Sequence, residues 1–151
     1  MKFYKIVASV FGIGYVGKGG GTIAAIFYCI IWLLLPAMYS TTFWQVIITI
    51  FIILIGIWCS NYVDGVWGKD SSKVVIDEVA GMAVSLLYVP HNYFYLILGL
   101  ILFRFFDILK PLGIRKLEKL PKGWGVMADD ILAGIYSLIL VQLLLQFKLL
   151  T

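Results

Sequence analysis

Charge is scarce in this chain: 13% of its 151 residues are Asp, Glu, Lys or Arg, about half the share of an ordinary soluble domain. With 62% hydrophobic residues, that shortage argues against a water-soluble fold. Cysteine is nearly absent. Cys29 and Cys59 lie inside apolar runs with no CxxC or Cys/His spacing, so zinc, a redox pair and a disulfide framework are not expected. The single histidine, His91, follows Pro90 and is placed by the chain's topology at the membrane face opposite the acidic residues, where it is no base or phosphohistidine. Without a histidine partner, Ser60, Ser71 and Ser72 form no triad. A small-x-small cleavage site is also missing after Lys2, Lys5 and the apolar stretch behind them, so no cleaved signal is expected.

What the chain has instead is long apolar runs. They extend from Thr22 to Met38 with a stop near Pro36, from Phe43 to Cys59 after the polar turn Tyr39 to Thr42, from Val74 to Pro90, from Tyr93 to Leu109, and from Ala128 to about Phe147. Each is close to the roughly 20 residues that span a bilayer as a helix. Phe3 to Gly17 is shorter and ends in glycines, which suits an interfacial segment. The expected fold is therefore all-α: a polytopic integral membrane helical bundle of about five spanning or re-entrant helices plus an N-terminal interfacial segment, forming one domain over 1–151.

Following the runs from side to side puts Lys2, Lys5, Lys18, Lys69, Lys73, Arg104, Lys110, Arg115, Lys116, Lys119 and Lys122 on one side, against Lys148 alone on the other. The positive-inside rule makes the first side the cytoplasm. The formal charge of +4 thus reports topology, and no nucleic-acid partner is expected. All acidic residues fall on the same side, which the charge rule does not require. A polar site at the cytoplasmic face follows.

Arg104, Asp107 and Lys110 are spaced three apart, within an arc of roughly 120° on one helix. Asp77 and Glu78 open the third run, and Asp129 and Asp130 open the fifth. The pattern repeats: Asp77 and Asp130 are each followed by Ala at i+3 and Gly at i+4, and small residues let membrane helices approach closely. Carboxylates brought together without a cation repel one another. A divalent metal resolves the conflict, and oxygen-only donors suit magnesium or manganese rather than zinc. Plainer readings exist for each piece. The aspartates could cap helices, Arg104 and Asp107 could be a structural ion pair, and Arg115, Lys116, Lys119 and Lys122 suit headgroup contact. Capping alone does not account for doubled acids on two helices. The glycine-rich run Gly12 to Thr22, with Lys18, could cradle a phosphate at a helix start or be a flexible turn; it lacks the P-loop order.

Four segments together resemble the phosphatidylglycerophosphatase A family: Gly14 to Thr22, Val75 to Met82 with Asp77-Glu78-x-x-Gly81-Met82, Phe103 to Pro111 with Arg104, Asp107 and Lys110-Pro111, and Gly123 to Gly134 with Asp129-Asp130-x-x-Ala133-Gly134. They occur in the family's order over nearly the whole chain. The resemblance implies a magnesium-dependent phosphatase of the bacterial inner membrane, its site facing the cytoplasm, that converts phosphatidylglycerophosphate to phosphatidylglycerol, with no protein partner implied. It carries over Asp77, Glu78, Asp107, Asp129 and Asp130 as catalytic, with Asp77, Glu78, Asp129 and Asp130 as Mg2+ ligands, and Lys18, Thr22, Arg104 and Lys110 as phosphate-binding. Asp107 would be a further ligand, a base that aligns water, or a nucleophile. Two positions depart from the family pattern: Gly20 stands where proline is common, and Gly113 replaces the second proline of Lys-Pro-x-Pro. The rival readings are an ion or proton transporter using Asp77 and Asp130 and a CDP-alcohol phosphatidyltransferase, for which Asp64-Gly65 lacks the following Ala-Arg and spaced aspartates.

Overall fold

A computed structural model describes residues 2–35, 42–69 and 71–150, with the side chains of 148–150 left aside. The chain is built of helices: α1 (Phe3–Ala8), a 3-10 turn (Ile13–Val16), α2 (Gly20–Leu34), α3 (Thr42–Trp67), α4 (Ile76–Ser85), α5 (Tyr93–Leu109), α6 (Ile114–Leu117) and α7 (Gly123–Leu150). No strand occurs among the described residues. The all-α expectation therefore holds.

Two helices are long and apolar enough to cross a membrane, α3 with 26 residues and α7 over Gly123–Phe147. At 1.5 Å per residue α3 reaches about 39 Å, more than the roughly 30 Å hydrocarbon thickness. Ile50, Phe51 and Leu54 on α3 and Ile97, Ile101 and Phe105 on α5 face outward. Lipid is the solvent such surfaces fit.

Several boundaries differ from the sequence reading. The α3 helix continues past Cys59 to Trp67, and α7 begins at Gly123 rather than Ala128, because Asn61 Oδ1 accepts the Gly123 amide at 2.9 Å and supplies the partner that a helix start lacks. Phe3 to Gly17 is not one helix. It turns after Ala8, with Val10 and Phe11 in the left-handed region, and Ser9 both donates to the Lys5 carbonyl at 2.7 Å and accepts the Gly12 amide at 3.2 Å. The run Val74 to Pro90 yields a helix of only ten residues, α4, about 15 Å long. It stops before Tyr88, which has φ 59°, and before Pro90, whose ring disfavours helix in the residue ahead of it. Glutamines serve the interrupted backbone. Gln45 Oε1 accepts the Tyr88 amide at 3.1 Å, and Gln142 Nε2 donates to the carbonyls of Leu87 and Tyr88, each at 3.2 Å. Such pairing is what an apolar setting demands of non-helical backbone. The proposed stop at Pro36 and the turn at Tyr39 to Thr41 lie outside the described residues.

Short α4 is the centre of the bundle, touching α2, α3, α5 and α7 and buried along almost its whole length. A Cβ on Gly134 would overlap the Gly81 carbonyl, and one on Gly81 would overlap Phe103 and the Asp130 carbonyl. The repeated small residues thus bring α4 and α7 into backbone contact. Farther along, Ser85 and Ser137 are 2.6 Å apart and lie 3.3 and 3.1 Å from the Gly99 carbonyl, which ties α4, α5 and α7 together. At one end of the bundle α2, α4 and α7 begin and α5 ends. At the other, His91 stacks on Trp32 with ring centroids 3.8 Å apart.

Candidate functional site

The first of these ends carries the acids. Asp77 and Glu78 stand in the first turn of α4, whose N-cap is Val75 with no side-chain cap. Asp129 and Asp130 come two turns into α7, since that helix starts at Gly123. Capping therefore does not describe Asp129 or Asp130. The close approach at Gly81 and Gly134 sets the acid one turn ahead of each glycine against its counterpart. As a result one carboxylate oxygen from each of Asp77, Glu78 and Asp130 lies within 4.8 Å of the others.

These carboxylates are out of water and short of partners. Asp77 and Asp130 are 7% and 3% exposed. Asp77 Oδ1, Glu78 Oε2 and Asp130 Oδ2 are buried with no hydrogen-bond partner. Around them lies a cavity of about 300 Å³, lined by six acids (Asp77, Glu78, Asp107, Glu118, Asp129 and Asp130) and the single cation Lys110. Buried charge of one sign is strongly unfavourable unless compensated. Orphaned hard oxygens in this excess of negative charge fit a magnesium-like divalent cation.

The remaining predicted residues fall at different depths. Asp107 is buried, lines the cavity and pairs with Arg104 three residues earlier; the predicted ion pair exists and is also part of the cavity wall. Lys110 ends α5 in the left-handed region with φ 47°, which turns its ammonium to Asp129 at 2.5 Å and Glu118 at 2.7 Å. Burial by itself would lower the Lys110 pKa, but the hydrogen bonds to Asp129 and Glu118 outweigh it, so the pKa is raised and the ammonium stays charged. Asp129 is thus held by Lys110 and stands outside the three-carboxylate group. Lys18, Thr22 and Arg104 lie outside the cavity lining. Lys18 is exposed in the turn before α2 and Thr22 partly buried in its first turn. That turn rests on the site, because a Cβ on Gly21 would overlap Glu78.

The departures from the family pattern can be judged in place. At Gly20 a Cβ would meet the Ile13 carbonyl at an ordinary 3.4 Å. Gly113 has φ 89°, which a proline locked near −65° cannot adopt; the loop after Pro111 therefore takes a conformation its proline counterpart excludes. Sequence reasoning missed Glu118, and it considered Ser71 and Ser72 only as triad members, although all three line the cavity. Glu118 is the one acid in an otherwise basic loop. That was its only signal.

Comparison with known proteins places this geometry in context. The model of the family described as "PgpA: Phosphatidylglycerophosphatase A" matches residues 6–145. The chain is 44% identical over 145 residues to a Bacteroides thetaiotaomicron protein named "Putative phosphatidylinositol-3-phosphatase", covering 90% of this chain and 89% of that one. It is 33% identical over 139 residues to the phosphatidylglycerophosphatase A of Haemophilus influenzae, covering 90% and 85%. With the Escherichia coli protein of the same name it shares 33% identity over 110 residues, 68% of this chain and 64% of that one. No solved structure matches it.

Proposed function

This chain belongs to the phosphatidylglycerophosphatase A family, a family of phosphatases, and we propose that it hydrolyses the terminal phosphate monoester of phosphatidylglycerophosphate to give phosphatidylglycerol and phosphate. The observation that carries the reading is the trio Asp77, Glu78 and Asp130, each with a buried, unpartnered oxygen. In this proposal the trio holds a divalent cation, magnesium by preference. When bound, the ion would neutralise phosphoryl oxygens and acidify a water, the chief needs of phosphate-ester hydrolysis. Lys110 supplies the positive charge that meets the phosphate within the cavity. Asp129 positions Lys110, and serving as a fourth metal ligand would require Lys110 to release it. Asp107, paired with Arg104, accepts a hydrogen bond from the attacking water and aligns it. Lys18 and Thr22 would act at the edge of the site, where the start of α2 rests on Glu78.

We place the carboxylate end at the cytoplasmic face of a bacterial inner membrane, following the distribution of Lys and Arg. The chain then passes from face to face five times, with α4 and the turn behind it making the third passage, since Tyr88 reaches Gln45 in the first turn of α3. A lipid substrate could keep its acyl chains in the inner leaflet while its phosphate enters the cavity. The transporter reading fits less well, because the clustered carboxylates are gathered at one end of the bundle. Asp64, on which the phosphatidyltransferase reading rests, is absent from the cavity lining.

A second substrate is favoured by one observation. The relative sharing 44% identity is named "Putative phosphatidylinositol-3-phosphatase", and the 3-phosphate of an inositol lipid, like the terminal phosphate of phosphatidylglycerophosphate, is a phosphate monoester on a polyol headgroup. The test is phosphate release from each lipid in mixed micelles with magnesium, with manganese and with chelator. We expect cation-dependent release, fastest with phosphatidylglycerophosphate, and none in chelator. Faster release from the inositol lipid would reassign the substrate; no release from either by folded protein would overturn the phosphatase reading.

A further inference from the structure

The cavity is graded from floor to mouth. The side chain of Asp129 is 5% exposed, that of Lys110 is 22% and that of Glu118 is 42%, while Asp77 and Asp130 lie among the most buried polar residues. Glu118 closes α6, whereas Ser71 and Ser72 come from the connection between α3 and α4; all three line the same cavity. Glu118 is not in the carboxylate group that suits a metal. Lys110 joins the two levels. Its ammonium has three donors, and two of them reach Asp129 below and Glu118 above. Glu118 is therefore a fixed carboxylate at the mouth. Lys110 donates to its Oε1, and a carboxylate offers a second oxygen to another donor.

A substrate that sets its phosphate monoester on the cavity floor must lead the rest of its headgroup out past this level. In phosphatidylglycerophosphate the monoester sits on a methylene, and the next glycerol carbon bears the free hydroxyl. Resting on the phosphatase reading above, we infer that Glu118, fixed by Lys110 and sharing the cavity wall with Ser71 and Ser72, is the acceptor for the headgroup hydroxyl and selects polyol phosphates over phosphate monoesters that lack one. A carboxylate accepts a hydroxyl proton more strongly than a neutral oxygen does. Both lipids named for the relatives carry such a hydroxyl beside the phosphate.

The test compares phosphatidylglycerophosphate with its analogue lacking the glycerol hydroxyl, using the full chain in mixed micelles, for wild type, Glu118→Gln and Ser72→Ala. Wild type should favour the natural lipid by about tenfold in kcat/KM, equivalent to about 1.4 kcal/mol and typical of a single hydrogen bond to a charged group. In Glu118→Gln that ratio should fall to within about twofold of unity, and in Ser72→Ala it should lie between. A wild-type ratio near one, or a Glu118→Gln variant that loses activity while keeping the wild-type ratio, would overturn the inference and leave Glu118 a support for Lys110 or a metal ligand. If wild type hydrolyses neither lipid, the phosphatase reading itself falls and takes this inference with it.

Discussion

Asp130→Asn is expected to lower phosphate release by roughly 10²–10³-fold, the scale on which removing one charge-stabilising group from an active site acts. The same substitution should raise the thermal midpoint of the cation-free protein in detergent. Asp130 is buried among Asp77, Glu78, Asp107 and Asp129, and replacing one carboxylate with an amide relieves like-charge repulsion. Opposite movements of activity and stability separate a site residue from a structural one. Cation binding supplies a third readout. An ion present at 100 times its Kd stabilises the folded state by about 2.7 kcal/mol, so wild type should melt higher in magnesium than in chelator, and Asp130→Asn should lose most of that rise. A variant with more than a tenth of wild-type activity, or with an intact magnesium-induced rise, would remove Asp130 from the proposed cation site.

Gly134→Ala is the second change expected to have a large effect. The methyl group would overlap the Gly81 carbonyl, and backbone cannot turn aside as a flexible side chain can. The packing of α4 on α7 must open, at a cost of about 1–3 kcal/mol by the usual scale of overpacking. Because Asp130 lies one turn before Gly134 and Asp77 one turn before Gly81, that movement also spreads the carboxylate trio. We therefore expect a lower thermal midpoint together with weaker apparent affinity for magnesium in the activity assay. Gly65→Ala is the control: it is also within a helix, but nothing lies within 4 Å of its added Cβ, and alanine is the better helix former by about 0.8–1.0 kcal/mol. It should leave the midpoint unchanged or raised. Equal loss in the two variants would show that the Gly81–Gly134 contact has no special role.

Much of this protein was legible from local pattern. Apolar runs identified α2, α3, α5 and α7, because a helix in lipid must be apolar over its length wherever it meets its solvent. The acid followed by Ala and Gly, repeated at Asp77 and Asp130, foretold the meeting of α4 and α7, since spacing along a helix fixes which side chains share a face. Boundaries were less legible. Beyond Asp77 and Glu78 the run to Pro90 is apolar apart from Ser85, yet its helix ends at Ser85; the partners that permit the break, Gln45 and Gln142, are distant in sequence. The start of α7 depends likewise on Asn61.

By itself the sequence determined the all-helical class, the family and five of the six acids that line the cavity, because composition, periodicity and motif order are properties of the chain before it folds. Only the tertiary structure decided how those acids divide. It grouped Asp77, Glu78 and Asp130, gave Asp129 to Lys110, and brought Glu118 to the cavity mouth. The reason is geometric: the depth of a side chain and its nearest opposite charge depend on how the helix ends meet, and no single segment records that.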